Sequence, residues 1–239
     1  MKLICGDCNQ ILDNLIESGI KVDTVITDPP YEFHTRGGSP KKTALGRSAT
    51  KHRDEIKFIS KGFDYDEVFE KLLKLCRIPN LLIFCSNLQI SKIMSWFENK
   101  NLSVTLLVWK KPHAMPLANR KYISDLEFIV YVRTKGVPWN TEIKDYKKKC
   151  KLKIFNPVSS SMGKIHVTQK PVELMEELIN QHSLKNQIIL DPFMGSGSTG
   201  IACDNLDRDF IGIEINKEFY NGAVNRLITH HSELQKKIW

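Results

Sequence analysis

Short apolar runs alternate with amphipathic stretches along most of the chain, and this alternation defines its predicted elements. The apolar runs are about as long as strands, and the amphipathic stretches carry apolar residues at helical spacing. The pattern predicts a mostly parallel sheet with helices on both faces. The predicted strands are 2–5, 23–27, 80–85, 104–110, 127–133, 187–190 and 210–215, and the predicted helices are 9–17, 66–76, 89–99, 171–183, 198–206 and 218–230.

Two segments lack this pattern. Residues 34–62 form a long basic stretch with Gly and Ser, and residues 137–165 are irregular and basic. A loop as long as the first inside a compact domain is usually functional or disordered. Neither segment marks a domain boundary, and 239 residues suit one α/β domain spanning the whole chain. The strands 104–110 and 127–133 are expected to pair at one edge of the sheet.

The composition narrows the class of protein. With 41% hydrophobic residues, the chain can bury a core without disulfides. No apolar run approaches the roughly 20 residues that span a bilayer, and no signal stretch is visible, so a cytoplasmic protein without membrane contact is expected. The six cysteines are scattered, as free thiols would be. Cys5 and Cys8 form a lone C-x-x-C without the second pair that a zinc site needs, so no metal is expected.

The net charge of +8 is unevenly distributed. Residues 34–61 carry eight Lys or Arg, and residues 141–153 carry six Lys. Such clusters suit a phosphate backbone, although a basic chain can also owe its charge to solubility alone. The charge therefore indicates a polyanion only in combination with other signals.

The first candidate for chemistry is Asp28-Pro29-Pro30-Tyr31, which follows an apolar strand. The carboxyl ends of strands are where α/β sheets bind ligands. The two prolines stiffen the backbone, so a carboxylate, a backbone carbonyl and an aromatic ring are presented together. This set suits an amino group on a flat aromatic ring. Taken alone, the four residues are equally compatible with a rigid loop.

The second candidate runs from Asp191 to Thr199, where a buried strand ends in Asp-Pro and a glycine-rich turn opens a helix. Glycines let a backbone approach a ligand closely. The turn lacks the Gly-Lys-Ser/Thr of a phosphate-binding P-loop, and its G-x-G-x-x-G match through Gly200 is weak support for NAD. The hydroxyls of Ser196, Ser198 and Thr199 are interpreted as helix caps, since the sequence places no His or acid partner for a nucleophile.

A second acid helps to decide what this turn binds. Glu214 ends the strand 210–215, seventeen residues after Gly197. An acid in this place can accept both hydroxyls of a ribose, which fits any adenosine-type cofactor. The alternative is an acid beside a helix N-cap. Trp109 is interpreted as core, with a place near a target-base pocket as the alternative.

Together these residues resemble the DNA amino-methyltransferases that act on adenine N6 or cytosine N4. Asp28-Pro29-Pro30-Tyr31 looks like the catalytic motif of that family, and the segment from Asp191 through Gly197 looks like its cofactor motif. Residues 166–171 look like the segment that holds the methionine end of the cofactor, with Val167 where the family usually has Pro. The resemblance covers residues 2–230.

The order of the motifs implies the β class of the family, which is a circular permutation of the Rossmann-like methyltransferase fold. The resemblance implies a seven-stranded sheet in which 2–5 lies beside the strand that ends at Glu214. It also implies S-adenosylmethionine as the cofactor. The residues expected to contact the cofactor are Asp7, Cys8, Asp28, His166, Thr168, Gln169, Lys170, Asp191, Pro192, Phe193, Gly195, Ser196, Gly197, Ser198, Glu214 and Ile215.

The resemblance also implies the substrate. Asp-Pro-Pro-Tyr goes more often with adenine, and Ser-Pro-Pro-Tyr or Trp with cytosine N4, so transfer to adenine N6 in double-stranded DNA is expected. The space between Arg133 and His166 is too short for a recognition domain, so loops must read the DNA. Dimers are common in the family, and a cognate restriction endonuclease is a further expected partner. The expected DNA contacts are Arg36, Lys41, Lys42, Arg47, Lys51 and Arg53.

Three alternatives stay open on the sequence alone. The same chemistry could act on cytosine N4 or on RNA. The fold could be kept by a DNA-binding module that has lost catalysis, although the intact Asp28, Tyr31, Gly195 and Gly197 argue against this. An NAD-dependent oxidoreductase is the third alternative, and the Asp-Pro-Phe turn argues against it.

Overall fold

The computed structural model describes residues 1–30, 64–113, 122–159 and 169–237. These residues form strands and helices that alternate in chain order, as the apolar pattern predicts. The strands are β1 Lys2–Cys5, β2 Thr24–Thr27, β3 Asn80–Cys85, β4 Ser103–Lys110, β5 Leu126–Arg133, β6 Leu152–Ile154, β7 Ile188–Asp191 and β8 Asp209–Glu214. The helices are α1 Cys8–Glu17, α2 Tyr65–Leu75, α3 Ile90–Glu98, α4 Val172–His182, α5 Ser198–Asn205 and α6 Lys217–Lys237, with a short 3-10 helix at Tyr146–Lys149.

The described strands form one sheet in the order β1-β8-β7-β2-β3-β5-β4-β6. The neighbours from β1 to β3 pair in parallel, β5 is antiparallel to both of its neighbours, and β6 is parallel to β4. β5 is therefore the one described strand that runs against the others. The carboxyl ends of β1, β8, β7, β2 and β3 consequently lie along one edge of the sheet, which we call the carboxyl edge.

Side chains alternate between the two faces of the central strands. Val25 of β2 packs in one hydrophobic cluster with α1, α2 and α3, while its neighbour Ile26 packs in a second cluster with α4, α5 and α6. β3 alternates in the same way, with Leu81 in the first cluster and Leu82 in the second. Residues covered on both faces explain why these strands are almost continuously apolar.

Local chemistry sets where two of the helices begin. The Asp7 carboxylate accepts a hydrogen bond from Gln10 N at 3.2 Å and caps α1. The Asp64 carboxylate accepts bonds from the backbone N–H groups of Asp66 and Glu67 and caps α2. Capping carboxylates satisfy N–H groups that have no partner inside the helix, and they complement the positive end of the helix dipole.

Three predictions need correction. The sheet has eight described strands rather than seven, because Leu152–Ile154 pairs with the end of β4. Residues 137–165 are therefore not irregular throughout, since this segment supplies β6 and a 3-10 turn. β4 and β5 pair as expected, but β6 pairs with the other side of β4 and is the edge strand of the sheet.

None of the helices in the described ranges has the length and apolar character that crossing a bilayer demands.

Candidate active site

The two motifs meet at neighbouring strand ends. β2 pairs in parallel with β7, with Val25 opposite Leu190. Asp28-Pro29-Pro30 follows directly after β2, and the glycine-rich turn follows directly after β7. Because parallel neighbours end at the same edge of a sheet, the two turns open on one side of the molecule. The sequence-based expectation that the two turns meet at adjacent strand ends is confirmed.

The carboxylate of Asp28 forms an ion pair with the ammonium of Lys170. Lys170 lies 142 residues away in sequence, just before α4, and only 7% of it is exposed. Its Nζ also lies 3.2 Å from Glu127 Oε2 on β5, and Lys111 Nζ lies 2.5 Å from Glu127 Oε1. The four side chains form a row of alternating charge, Lys111–Glu127–Lys170–Asp28, beside the carboxyl edge.

The surroundings favour the charged forms of Lys170 and Glu127. Burial lowers the pKa of Lys170, but the attraction of Asp28 and Glu127 outweighs burial and the pKa is raised overall. Burial raises the pKa of Glu127, but Lys170 and Lys111 outweigh it and the pKa is lowered overall. Buried charges are tolerated when they are paired and hydrogen-bonded. Asp28 therefore faces a permanent positive charge.

The glycine-rich turn needs glycine for its backbone. Gly195 and Gly197 have φ of 49° and 75°, in the left-handed region that side chains disfavour. The turn is held from several sides. Arg226 of α6 donates to the Ser196 carbonyl at 3.0 Å, and the Ser198 hydroxyl donates to the Lys170 carbonyl at 2.8 Å. The bond from Ser198 therefore links the glycine-rich turn to Lys170, which pairs with Asp28.

The carboxylate of Asp191 is used inside the turn. It accepts hydrogen bonds from Phe193 N at 3.1 Å and from the Thr199 hydroxyl at 2.6 Å. Burial raises its pKa to about 7, although the bonds from Thr199 and Phe193 oppose the increase. Asp191 was expected to contact the cofactor, and its hydrogen bonds show that it shapes the glycine-rich turn. The Thr199 hydroxyl likewise has a structural role.

Glu214 stands at the carboxyl end of β8, beside the turn. Its Oε2 accepts a bond from Gly195 N at 3.0 Å and its Oε1 accepts one from Asn216 N at 2.8 Å. Burial raises its pKa against these bonds. β1 pairs with β8, with Cys5 opposite Glu214, so Asp7 lies at the next strand end. The predicted neighbourhood of 2–5 and the Glu214 strand is confirmed.

These residues fit an adenosine-type cofactor. The turn at Gly195 and Gly197 has no Cβ atoms to keep a ligand away from its backbone. The Glu214 carboxylate has lone pairs left to accept hydroxyl donors, because an ionised carboxylate offers about four acceptor positions. Ile215 follows Glu214 and is 55% exposed, which provides an apolar contact for a flat base. Gln169 is buried beside Lys170, and Cys8 is buried at the start of α1.

Several predicted site residues lie outside the described residues. They are Tyr31, His166, Thr168 and the expected DNA contacts Arg36, Lys41, Lys42, Arg47, Lys51 and Arg53. The six cysteines are free thiols, including Cys5 and Cys8. Over residues 1–30, 64–113, 122–159 and 169–237, no group of three His, Cys, Asp or Glu side chains is arranged to hold a metal ion.

At the margin of the site, Trp109 was interpreted as a core residue. Trp109 is 2% exposed and donates to the Phe155 carbonyl at 2.9 Å, so the core interpretation is confirmed. Glu127, Lys111 and Arg226 were missed by sequence reasoning. The signal for Glu127 was an acid inside an otherwise apolar strand, whereas Arg226 gave no local signal because its partner Ser196 lies 30 residues away.

Comparisons with known proteins agree with this geometry. Residues 22–225 match the model of a DNA methylase family, N6_N4_Mtase. The chain belongs to this DNA methylase family. The type II methyltransferase M2.MboI of Moraxella bovis is 27% identical over 229 residues, covering 90% of this chain and 82% of that protein. M2.LlaDCHI of Lactococcus lactis subsp. cremoris is 28% identical over 240 residues, covering 94% and 88%.

Solved structures extend the comparison to the fold of this DNA methylase. The crystal structure of an M1.HpyAVI–SAM complex superposes with a TM-score of 0.69 and 31% identity, covering 95% of this chain and 99% of that one. PvuII DNA methyltransferase, described as cytosine-N4-specific, has a TM-score of 0.63 at 14% identity and shows the fold alone. The predicted family and the predicted Rossmann-like methyltransferase fold are confirmed.

Proposed function

We propose that this DNA methylase transfers a methyl group from S-adenosylmethionine to N6 of adenine in double-stranded DNA. The supporting observation is the place of Asp28-Pro29-Pro30, one strand away from the glycine-rich turn and tied to it through Lys170 and Ser198. The Asp at the head of the motif favours adenine over cytosine N4. M1.HpyAVI, the solved relative with 31% identity, was crystallised with this cofactor.

The bound cofactor would supply an electrophilic methyl group on a sulfonium, so the protein has to position and polarise the acceptor amine. An adenine N6 lone pair is delocalised into the ring and is a poor nucleophile. In the proposed arrangement, the Asp28 carboxylate and the Pro29 carbonyl each accept one N6–H bond. These bonds favour tetrahedral nitrogen and direct its lone pair to the methyl. Transfer is then a direct in-line displacement.

The target base has to leave the duplex to reach this site. Enzymes that modify a base flip it into a pocket, where aromatic side chains stack on it. Tyr31 directly follows Pro30 and is the proposed stacking ring. Good positioning of two reactants can supply on the order of 7–11 kcal/mol of the barrier. Positioning is therefore a sufficient role for these residues.

Lys170 serves Asp28 in this scheme. Its ammonium stays protonated because its pKa is raised, and it bonds the Oδ2 atom of Asp28. A carboxylate that bonds an ammonium can still accept an amine hydrogen, since it has several lone pairs. The pair thus orients Asp28. Gln169, His166 and Thr168 are proposed to hold the methionine end of the cofactor nearby.

Isotope-labelled methyl transfer followed by mass analysis of nucleosides tests the proposal. The expected product is N6-methyladenine. Asp28→Ala should lower turnover by at least about 100-fold while cofactor binding persists, because the residue acts on the base. Gly197→Asp should instead lose cofactor binding itself, since φ of 75° and the neighbouring Ala223 at 3.3 Å leave no place for a side chain.

Glu98→Ala is the matched control, because this acid is exposed at the end of α3. Near-normal turnover in Asp28→Ala would show that Asp28 has another role. N4-methylcytosine as the product would move the proposal to cytosine. Binding of DNA without any transfer would identify a module that has lost catalysis.

The proposal extends to partners. The basic segments 34–62 and 137–165 are the proposed DNA contacts of a cytoplasmic enzyme. A homodimer and a cognate restriction endonuclease are proposed as well, and the latter is supported by the type II methyltransferases among the relatives.

A further inference from the structure

The turn Asp28-Pro29-Pro30 after β2 has few backbone N–H groups that can donate hydrogen bonds. Pro29 and Pro30 lack a backbone N–H, so the turn can be held through its carbonyls only by donors from elsewhere. The Tyr65 hydroxyl, at the start of α2, donates to the Pro30 carbonyl. This bond fixes the Pro30 carbonyl, one residue after the proposed base acceptor at Pro29.

The direction of this hydrogen bond is set by a second residue. Gln89 Nε2 donates to the Tyr65 hydroxyl oxygen at 2.9 Å. Gln89 Oε1 accepts from Ser86 N at 3.0 Å and from the Ser86 hydroxyl at 2.8 Å. A backbone N–H can only donate, so the Gln89 amide must turn its oxygen to Ser86 and its NH₂ to Tyr65. Tyr65 must then direct its own proton to Pro30.

Burial makes this order costly to disturb. Gln89 is 2% exposed and Tyr65 is 8% exposed. A buried polar group that loses its partner bears the full cost of its desolvation. The chain of bonds starts at Ser86, just after β3, and ends on the turn after β2, so it links two adjacent strand ends.

We propose that Tyr65 and Gln89 are positioning residues that hold the Pro29–Pro30 backbone in the geometry required for methyl transfer. This inference rests on the proposed function. Neither residue reaches the reacting atoms in this scheme, because both act through the Pro30 carbonyl. Their hydrogen bonds should therefore affect the chemical step and not the binding of the cofactor.

Tyr65→Phe keeps the ring and removes the proton that reaches Pro30. We expect kcat to fall roughly tenfold, the effect of one lost hydrogen bond, with an unchanged Kd for S-adenosylmethionine. Tyr220→Phe is the matched control, because the Tyr220 hydroxyl also donates to a backbone carbonyl, that of Leu3 in β1, at 3.3 Å. Equal kcat in the two folded variants would overturn the inference.

Gln89→Glu tests the hydrogen bond to Tyr65 without changing the shape of the side chain. The introduced carboxylate has the same outline but cannot donate to Tyr65, so it would attract the Tyr65 proton away from Pro30. We expect a loss of kcat similar to that of Tyr65→Phe. Burial raises the pKa of a carboxyl group, and its protonated form can donate again. The deficit relative to wild type should therefore shrink as the pH falls.

Combining the two changes tests whether they act through one path. In the Tyr65→Phe background, Gln89→Glu should lower kcat by less than about a further twofold. The hydrogen-bond relay from Ser86 through Gln89 and Tyr65 to Pro30 is already broken in that background. Independent losses that multiply, or a Gln89→Glu deficit that does not depend on pH, would contradict the relay.

A readout independent of activity separates this inference from the proposed function. With ¹³C-labelled proline carbonyls, Tyr65→Phe and Gln89→Glu should both shift the Pro30 resonance, while Tyr220→Phe should not. If the Pro30 resonance shifts in both variants but the wild-type protein transfers no methyl group, the proposed function fails while the relay stands. An unmoved Pro30 resonance would show that the relay does not hold the turn.

Discussion

At the scale of single residues, Asp191 is a buried acid whose pKa is shifted by its surroundings. It is 4% exposed, its oxygens accept bonds from Phe193 N and the Thr199 hydroxyl, and its pKa is raised to about 7, mainly by burial. The folded protein therefore holds the Asp191 proton more tightly than the unfolded chain does. Its contribution to stability is complete below the ordinary pKa of 3.8 and is lost as the pH rises through about 7.

Asp191→Asn removes this titration and keeps the size of the side chain. The variant should gain stability relative to wild type as the pH rises from about 4 to about 7, by up to roughly 1.4 kcal/mol per pH unit. Any fixed cost of rearranged hydrogen bonds is independent of pH. Urea unfolding of both proteins across this range measures the difference. Parallel stability curves would mean that Asp191 titrates normally in the folded protein.

At the scale of elements, the packing of α5 depends on Gly200. A Cβ atom at this position would lie 2.9 Å from Phe210 Cε1 on β8 and 3.1 Å from Leu227 Cδ2 on α6. The G-x-G-x-x-G match that hinted at NAD in the sequence thus has a packing role. Its third glycine allows a helix to lie close to the sheet, a requirement shared by many nucleotide-binding folds.

Gly200→Ala should destabilise the protein by up to about 2 kcal/mol, because an overpacking cost of about 1–3 kcal/mol exceeds the roughly 1 kcal/mol that Ala contributes as the better helix former. Denaturant unfolding measures this cost. In a Phe210→Leu background the neighbouring ring is gone, so the added cost of Gly200→Ala should be smaller. The same cost in both backgrounds would exclude Phe210 as the cause.

The elements also show what sequence reasoning can reach. The mainly apolar runs of β2, β3 and β7 were predicted because both faces of these strands are covered. β6 was missed because Leu152-Lys153-Ile154 is short and follows a run of lysines, and its pairing depends on distant groups. Lys153 lies 2.7 Å from Glu177 on α4, a contact that no local pattern reveals.

The candidate site divides in the same way. The motif residues at strand ends could be identified because the carboxyl ends of parallel strands share an edge. Their partners could not, since Lys170 meets Asp28 across 142 residues and Tyr65 meets Pro30 across 35. Tyr65 and Gln89 lie at the starts of helices, where their spacing indicates only a helix boundary. Side-chain partners of this kind depend on the assembled sheet.

At the scale of the whole molecule, part of the positive charge behind the net +8 lies near the carboxyl edge. β6 pairs with Val108 to Lys110, the last part of β4, and the lysines that precede β6 are exposed. Lys147, Lys148 and Lys149 lie in the 3-10 turn just before it. These lysines lie in the described part of the basic segment 137–165, and they are proposed contacts to the DNA backbone.

Replacing Lys147, Lys148 and Lys149 with Ala together should weaken DNA binding and flatten its salt dependence. Each phosphate contact that is lost lowers the slope of log K against log salt by about 0.9, because fewer counterions are released on binding. The control carries the same charge change at Lys21, Lys135 and Lys185, which are exposed near the opposite ends of the strands. Binding titrations at several salt concentrations compare the two triple variants. Equal slopes would mean that net charge alone attracts DNA, whereas a change confined to the first variant would place the duplex against the β6 side of the carboxyl edge.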